Sequence, residues 1–205
     1  MRLLWRKRIE AVTKTKFKVF VDEQFAFVLY KGELSRYRIV ADGEMTEELY
    51  QKIRTEIILK RAKLRALHLL TDMDRTEVQL RDKLRQGFYT EDIIEQAVDY
   101  VKSFGYINDS GYAKRYIVSR QGSKSRKEIY AELCRKGVNR EEIDAAMEEC
   151  CEDDKEEEAI RTLMRKRRFN PNTADDIEKR KIYGYLSRKG FSYESIRNVL
   201  PLADY

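Results

Sequence analysis

The sequence is poor in the side chains from which catalytic and metal sites are most often built. Among its 205 residues are one histidine, three cysteines and one tryptophan. His68 lies in a helical run with no second imidazole or thiol at a metal-ligand spacing, so neither a zinc site nor a histidine-based triad is indicated. Carboxylates are abundant, but nothing in their order places two of them in one pocket. We therefore expect a binding protein that is not an enzyme and needs no cofactor.

Turn residues and long apolar runs are also scarce. Two prolines and nine glycines leave too few turns for an all-β fold. No apolar run reaches the roughly 18 residues that span a bilayer, and the N-terminus lacks the features of a signal peptide. We expect a cytoplasmic protein that does not enter a membrane. Its thiols, Cys134, Cys150 and Cys151, are then expected to be reduced and buried.

Charge is what the sequence has in abundance. Asp, Glu, Lys and Arg make up 38% of the chain, and the formal net charge is +6. Yet 42% of the residues are hydrophobic, which is too many for a disordered chain and suits several helices with narrow buried stripes. The basic excess favours a polyanion or an acidic protein surface as the partner.

The apolar period changes near residue 45. Apolar residues alternate with others over 17–21 and again over 25–29, on either side of Asp22 and Glu23, which predicts a β-hairpin. From Thr46 onward the apolar period is that of helices. We therefore predict a small N-terminal β-hairpin extension over residues 1–45, followed by an all-α core.

An internal repeat organises the helical part. Gly87, Gly137 and Gly190 are separated by 50 and 53 residues, and each is followed at once by an apolar residue and six positions later by isoleucine. A glycine just past a helix can adopt the left-handed conformation that ends it. The pattern predicts three tandem three-helix repeats, over residues 46–108, 109–150 and 151–205, that stabilise one another by stacking.

Capping patterns place the starts of the helices. Three pairs have the spacing of capping boxes, and three further residues can act as simple N-caps. These are Asp74/Glu77, Ser125/Glu128 and Asn139/Glu142, and then Thr90, Asp109 and Ser192. In the second repeat we predict helices over 109–120, 125–136 and 140–150. Residues 169–172 interrupt the third repeat.

Basic residues recur on the middle helix of every repeat. Lys124 stands in a turn, and Arg165 to Arg168 cover most of a helix circumference, so that some of them face outward. Such residues usually lie on a solvated helix face. Units stacked in one line could instead present them as a positive stripe for a polyanion or a repeating partner. Both interpretations stay open for the candidate binding residues Arg81, Lys83, Arg85, Lys124, Arg126, Lys127, Arg135, Lys136, Arg165, Lys166, Arg167, Arg168, Lys179, Arg180, Lys181, Arg188 and Lys189.

Four passages resemble the RecX family of bacterial recombination regulators, in the order expected for that family. They are RTEVQLRDKLRQGF (75–88), FGYINDSGYAKRYIVSR (104–120), SRKEIYAELCRKGV (125–138) and KIYGYLSRKGFSYESI (181–196). The resemblance covers about residues 60–200 and implies three three-helix repeats in an elongated, curved molecule. It also implies a modulator, usually an inhibitor, of the RecA recombinase. Such proteins lodge in the groove of the RecA filament on single-stranded DNA and lower filament growth, ATP hydrolysis and strand exchange.

Other functions stay open on the residues alone. The basic residues could bind nucleic acid directly, which predicts an affinity for bare DNA that falls steeply with salt. Less favoured is an enzyme whose carboxylates form a pocket that the sequence does not reveal. We expect a monomer. A row of similar units could contact several protomers of a helical partner at once and gain affinity by multivalency.

Overall fold

A computed structural model of the chain describes residues 4–41 and 43–200. The chain divides into two compact halves, which meet in sequence at Ile107 and Asn108. The N-terminal half contains a β-sheet and the first three-helix unit, and the C-terminal half contains the second and third units. The predicted fold class, tandem three-helix units preceded by a small β region, is confirmed.

The sheet of the N-terminal half is antiparallel, with its strands in the order β3-β2-β1-β4. The predicted hairpin is the β2–β3 pair, in which Val19 lies opposite Phe27. Asp22 and Glu23 form its turn with φ of 45° and 65°, a backbone conformation that suits the twist of a tight hairpin. Strands β1 and β4 are additional to the prediction. The strands are β1 (Leu4–Ala11), β2 (Lys16–Val21), β3 (Gln24–Tyr30) and β4 (Glu44–Thr46).

The inner face of the sheet shares one hydrophobic core with the helices that follow. Buried side chains of this core include Phe27 and Leu29 from the sheet and Leu84 and Val98 from the helices. Removing these apolar faces from water is the dominant stabilising contribution in such a fold. The first helices are α1 (Lys31–Arg36), α2 (Glu47–Ile53), a π-helical segment (Arg54–Leu59) and α3 (Lys60–Asp72).

The first three-helix unit consists of α3, α4 (Glu77–Gln86) and α5 (Glu91–Ser103). The predicted capping box of Asp74 with Glu77 is wrong. Thr76 caps α4 instead, and its hydroxyl accepts a hydrogen bond from the backbone N–H of Gln79. Thr90 occupies the N-cap position of α5, but its side chain makes no capping hydrogen bond.

The three repeated glycines do not all have the same backbone conformation. Gly137 and Gly190 are left-handed as predicted, with φ of 86° and 88°. For the first unit the prediction is wrong, because Gly87 has φ of −81° and the next residue, Phe88, has φ of 62°. A side chain in the left-handed region crowds the following carbonyl, so the turn at Phe88 is the more strained one.

The second three-helix unit consists of α6 (Asp109–Arg120), α7 (Arg126–Arg135) and α8 (Arg140–Cys150), close to the predicted ranges. Ser125 caps α7 as predicted, since its hydroxyl accepts a hydrogen bond from the backbone N–H of Glu128. Asn139 caps α8 through the backbone N–H of Glu141 rather than Glu142. The cap predicted at Asp109 is wrong, because the side chain of the preceding residue, Asn108, caps α6.

The core of the second unit is formed by inward-facing aliphatic side chains of its three helices. Ile117, Leu133 and Ile143 are fully buried there. The three thiols are free, as expected, but they are half-buried at the edge of this core. The expectation that they are buried was therefore wrong.

The third three-helix unit consists of α9 (Asp153–Lys166), α10 (Asp176–Arg188) and α11 (Tyr193–Val199). The predicted interruption is the connection between α9 and α10. It begins at Arg168, whose φ is 55°, and ends at Asp175, which caps α10. Ser192 caps α11 as predicted. Ile160 and Ile196 belong to a separate core of this unit.

Candidate functional site

The cations on α4, the middle helix of the first unit, are largely neutralised by nearby carboxylates. The Nε atom of Arg81 lies 2.8 Å from a carboxylate oxygen of Glu77. Arg85 pairs with both Asp82 and Glu91, and the hydrogen bond to Glu91 raises the pKa of the guanidinium. Lys83 is exposed and donates to the side-chain oxygen of Gln86, a neutral group. Within α4, therefore, Lys83 keeps its charge available.

Lys124 serves the structure of the second unit. Its ammonium group pairs with the carboxylate of Glu132, which also accepts a hydrogen bond of 2.6 Å from the hydroxyl of Tyr116. The hydrogen bond to Glu132 raises the pKa of Lys124. Burial would raise the pKa of Glu132, but hydrogen bonds from Lys124 and Tyr116 outweigh burial and lower it. The structure places this lysine in a local network that joins α6 to α7.

The other candidate cations of the second unit lie along α7 and just beyond its end. Lys127 and Arg135 are exposed, and 73% of the Arg135 side chain is accessible. Lys136 lies over the ring of Tyr116, with its ammonium nitrogen 5.1 Å from the ring centre. A cation over a ring is held in position without losing its charge. Lys127 and Arg135 can therefore face a partner, although an Nη atom of Arg135 also lies 3.9 Å from a carboxylate oxygen of Glu132.

The cations at the α9–α10 connection lie together. Arg167, Arg168 and Lys181 line a cavity of about 420 Å³, which we call the third-unit basic cavity. Among the described residues, no carboxylate lies within ion-pair distance of these three side chains. The guanidinium carbon of Arg167 is 3.6 Å from the centre of the Tyr185 ring. This contact orients the side chain and leaves its positive charge uncompensated.

The order of charges along α9 explains why the cavity stays positive. The carboxylates of α9 all lie in its first half, where Glu157 pairs with Arg161 at 2.9 Å. They are too far along the helix to reach Arg165 or the residues after it. Glu178 also lines the cavity, but its carboxylate accepts the backbone N–H of Asp175 in the capping box of α10. An anion entering the cavity therefore meets mainly uncompensated cations.

The remaining candidate cations extend the same charged region of the third unit. Lys166 is exposed at the end of α9 and Arg180 on α10, while Lys179 is half-buried. Arg188 and Lys189 are exposed at the end of α10. Among the described residues, none of these five side chains has a carboxylate within ion-pair distance.

Buried polar contacts join the second and third units. The hydroxyl of Ser125 donates a hydrogen bond of 2.7 Å to the backbone carbonyl of Lys189. Glu156, which is 6% exposed, accepts from the backbone N–H of Arg126 at 3.4 Å and from the hydroxyl of Ser195 at 2.9 Å. The carboxylate of Glu156 thus lies at the N-terminus of α7, where the helix dipole favours negative charge.

The turn after α10 packs closely against the start of α7. A Cβ atom added to Gly190 would lie 3.0 Å from Cβ of Lys127 and 3.1 Å from the hydroxyl oxygen of Ser125. Because glycine has no Cβ, it can adopt the left-handed backbone conformation at position 190 and also allow Lys127 and Ser125 to lie this close. Lys127 and Lys189, both exposed, therefore lie at the contact between the second and third units.

Comparison with known proteins agrees with this division into units. Models of the first, second and third three-helix domains of RecX match residues 62–100, 108–147 and 154–200. The chain belongs to the RecX family. A RecX regulatory protein from Caldanaerobacter subterraneus subsp. tengcongensis is 34% identical over 201 residues, which cover 98% of this chain and all of the relative. Another, from Clostridioides difficile, is 30% identical over 189 residues and covers 90% of this chain and 88% of the relative.

Solved RecX structures share the fold. A crystal structure of regulatory protein RecX matches with a TM-score of 0.63 at 24% identity, over 96% of this chain and 98% of the other. RecX from Lactobacillus salivarius matches with a TM-score of 0.60 at 28% identity, over 69% and 93%. RecX proteins are described as regulatory, which points away from an enzyme. The RecX domain models begin at residue 62, so the sheet lies before the part that they describe.

The described residues contain neither a helix that could span a membrane nor a cluster of side chains that could bind a metal ion. Over residues 4–41 and 43–200, no helix is long and apolar enough to cross a membrane. The same residues contain no group of three or more His, Cys, Asp or Glu side chains that could hold a metal ion.

Sequence reasoning missed two sets of polar residues. Glu156 and Ser195 join the second and third units, but a single acid within an acidic run has no pattern that marks it as buried. Arg61 and Arg65 line a second basic cavity, in the N-terminal half. Their spacing of four residues on α3 was the available signal, since it places both side chains on one helix face.

Proposed function

We propose that this protein inhibits the RecA recombinase by binding the RecA filament on single-stranded DNA and limiting its growth, ATP hydrolysis and strand exchange. Membership in the RecX family supports regulation of RecA in general. The observation that carries the finer proposal is the third-unit basic cavity, where Arg167, Arg168 and Lys181 have no carboxylate partner among the described residues.

The charges of this surface suit a nucleoprotein filament. Arginine binds phosphate or carboxylate with paired hydrogen bonds, and it keeps its charge at any physiological pH. Helix α10 contributes Lys181 to the cavity, and Gly190 follows this helix. The close approach of Gly190 to Lys127 therefore places α10 beside the exposed cations of α7. Two neighbouring units can therefore bind anionic groups at more than one point of a repeating partner, and weak contacts add up when they are linked.

The proposed action on ATP hydrolysis is indirect. Binding along the filament would oppose addition or movement of RecA protomers, and fewer active protomers would hydrolyse less ATP. Coupled binding equilibria are reciprocal. An inhibitor that shifts RecA away from its active filament must therefore bind the active filament less tightly than the inactive form of RecA that it favours.

A titration distinguishes this proposal from direct action on DNA. The protein is added to a RecA ATPase assay on single-stranded DNA, and its binding to the same DNA without RecA is measured in parallel. We expect suppression of ATP hydrolysis at amounts well below those of RecA, with feeble affinity for bare DNA.

Two results would contradict the proposal. Tight binding to bare DNA that falls steeply with salt, with ATPase suppression only when the DNA is saturated, would instead indicate a nucleic-acid-binding protein that acts without contacting RecA. Turnover of a substrate by the purified protein alone would indicate an enzyme.

A further inference from the structure

A large cavity lies in the N-terminal half, at the edge of the sheet. Its volume is about 670 Å³, and its walls come from β2 and β3, the π-helical segment, α3 and the turn between α4 and α5. Strand β3 is the outermost strand on this side. We call this space the edge cavity. All of its lining residues precede the second three-helix unit, and only Lys83 among them is also a candidate residue for binding the filament.

The edge cavity is strongly basic. Lys16, Arg61, Arg65 and Lys83 line it, together with His68, and no Asp or Glu does. Arg61 is committed to the fold, because it pairs with Glu33 and donates a hydrogen bond of 3.1 Å to the backbone carbonyl of Val28. For Lys16, Arg65 and Lys83, no carboxylate of the described residues lies within ion-pair distance. These three exposed cations favour a negatively charged ligand.

The cavity also has an apolar side. Val28 and Ile58 form part of its lining and are almost fully buried. Leu64 lines it with 67% of its surface exposed, and Phe88 with 40% exposed. Apolar side chains that remain exposed beside cations mark a site for a ligand with both apolar and acidic groups.

Of the three tyrosine and phenylalanine rings that line the cavity, Tyr89 is half-buried, and the other two have cations over them. The Tyr30 ring has the guanidinium of Arg61 at 4.7 Å and the ammonium of Lys16 at 5.6 Å from its centre. The Phe88 ring has the ammonium of Lys18 at 4.7 Å. Single-stranded nucleic acid is usually held by bases stacked on free ring faces. The occupied faces therefore favour a peptide over a nucleotide.

We propose that the edge cavity binds an acidic segment of a partner protein. An aliphatic side chain of that segment contacts Leu64, and flanking carboxylates pair with Lys16, Arg65 and Lys83. Clusters of cations recognise acidic motifs in this way, and the charges give the site its specificity. The inference concerns the N-terminal half alone and does not depend on the proposed inhibition of RecA.

The test uses a synthetic acidic peptide and fluorescence anisotropy. The labelled probe has about ten residues, enough to cross the cavity when extended, with leucine at its centre and Asp and Glu on both sides. A second peptide has serine in place of the leucine. The protein variants are the double charge reversal Arg65→Glu with Lys83→Glu, and Leu64→Ser. The matched control is Lys60→Glu, an exposed cation on the same helix that does not line the cavity.

The expected results separate charge from the apolar contact. The unaltered protein and Lys60→Glu bind the leucine peptide equally, whereas the double reversal weakens binding at least about tenfold. Leu64→Ser removes the preference for the leucine peptide over the serine peptide. Because all of the substituted side chains are exposed, thermal unfolding followed by circular dichroism is expected to be unchanged.

Several outcomes would overturn the inference. They are no binding to the unaltered protein, equal weakening by the double reversal and by Lys60→Glu, and a leucine preference that survives Leu64→Ser. Efficient displacement of the peptide by oligothymidylate, with oligothymidylate binding weakened by the same double reversal, would assign the cavity to nucleic acid instead.

Discussion

The first and third three-helix units follow one plan but differ in the availability of their charges. On the middle helix of the first unit, Arg81 and Arg85 are paired with carboxylates. In the third unit, Arg167 and Lys181 have no such partner among the described residues. A recurring basic position is therefore not a recurring binding site, because neighbouring acids decide which cations can meet a partner.

The same two units also differ at the turn that follows the middle helix. In the third unit the left-handed residue is Gly190, which lies against Lys127. In the first unit it is Phe88, and the preceding Gly87 is not left-handed. The backbone therefore requires glycine at the turn of the third unit but not at the corresponding position of the first.

The largest effect is expected at this glycine. Gly190→Ala should lower the free energy of unfolding by about 2 kcal/mol or more, because alanine would be left-handed and its Cβ would crowd Lys127. Gly87→Ala would also bring its Cβ to 3.0 Å from the Tyr89 ring and 3.1 Å from the Leu84 carbonyl oxygen, but it has no left-handed strain and should cost about 1 kcal/mol. Urea unfolding of both variants measures the difference, and equal losses would contradict the comparison.

The second prediction concerns the contact between the second and third units. Ser125→Ala removes both an N-cap and the hydrogen bond to the Lys189 carbonyl, and should cost about 1.5 to 2 kcal/mol. Ser192→Ala removes a cap that is exposed, and should cost about 0.5 to 1 kcal/mol. Thermal unfolding compares the two alanine variants. A larger loss for Ser192→Ala would show that the contact with Lys189 contributes little.

The third prediction tests the difference in charge directly. In a triple variant, glutamine replaces Arg167, Arg168 and Lys181. The amount of protein needed for half-suppression of RecA ATP hydrolysis should rise about tenfold, which corresponds to a loss of about 1.4 kcal/mol of binding free energy. The matched control, Arg81→Gln with Arg85→Gln, removes cations that are already paired and should change it less than about twofold. The same shift in both variants would show that pairing does not decide which cations act.

The smallest effect is expected in the pH dependence of stability. Burial would raise the pKa of the Glu132 carboxyl, but hydrogen bonds from Lys124 and Tyr116 outweigh burial and lower that pKa. A carboxyl with a lowered folded pKa stabilises the fold above its unfolded pKa of about 4.3, and this contribution is lost as pH falls through the folded pKa. Glu132→Gln should therefore be less stable near neutral pH and decline less steeply in acid.

Glu194→Gln is the control for this measurement, because Glu194 is exposed on α11. Unfolding free energies are compared at several pH values from neutral to about pH 3. An acid decline of Glu132→Gln as steep as that of the unaltered protein would show that the network of Lys124 and Tyr116 does not stabilise the second unit.

Much of the helical fold could be predicted from local signals. The range 109–120 coincides with α6 and the range 140–150 with α8, because caps and apolar spacing both act within a few residues. Strands β1 and β4 escaped prediction, since β4 has three residues and pairs with β1 far away in the sequence. The cap at Thr76 was missed because Asp74 offers a competing side chain two residues earlier.

The candidate site was less accessible to prediction. The cations themselves could be named from the sequence, and their roles at the partner remain predictions. Which of them are neutralised could not be read from spacing alone, since Lys124 pairs with Glu132, two turns further along the chain. The edge cavity combines side chains from residue 16 to residue 89, and no local pattern joins them.

The sequence by itself determined the helical units, their order and the excess of positive charge, because periodicity, capping and composition are properties of neighbouring residues. Only the tertiary structure decided that Gly190 lies against Lys127, that Glu156 is buried between two units, and that Arg167 has no carboxylate partner among the described residues. The reason is physical. Whether a charge is neutralised, buried or exposed depends on groups within a few ångströms in space, and folding brings those groups together from distant parts of the chain.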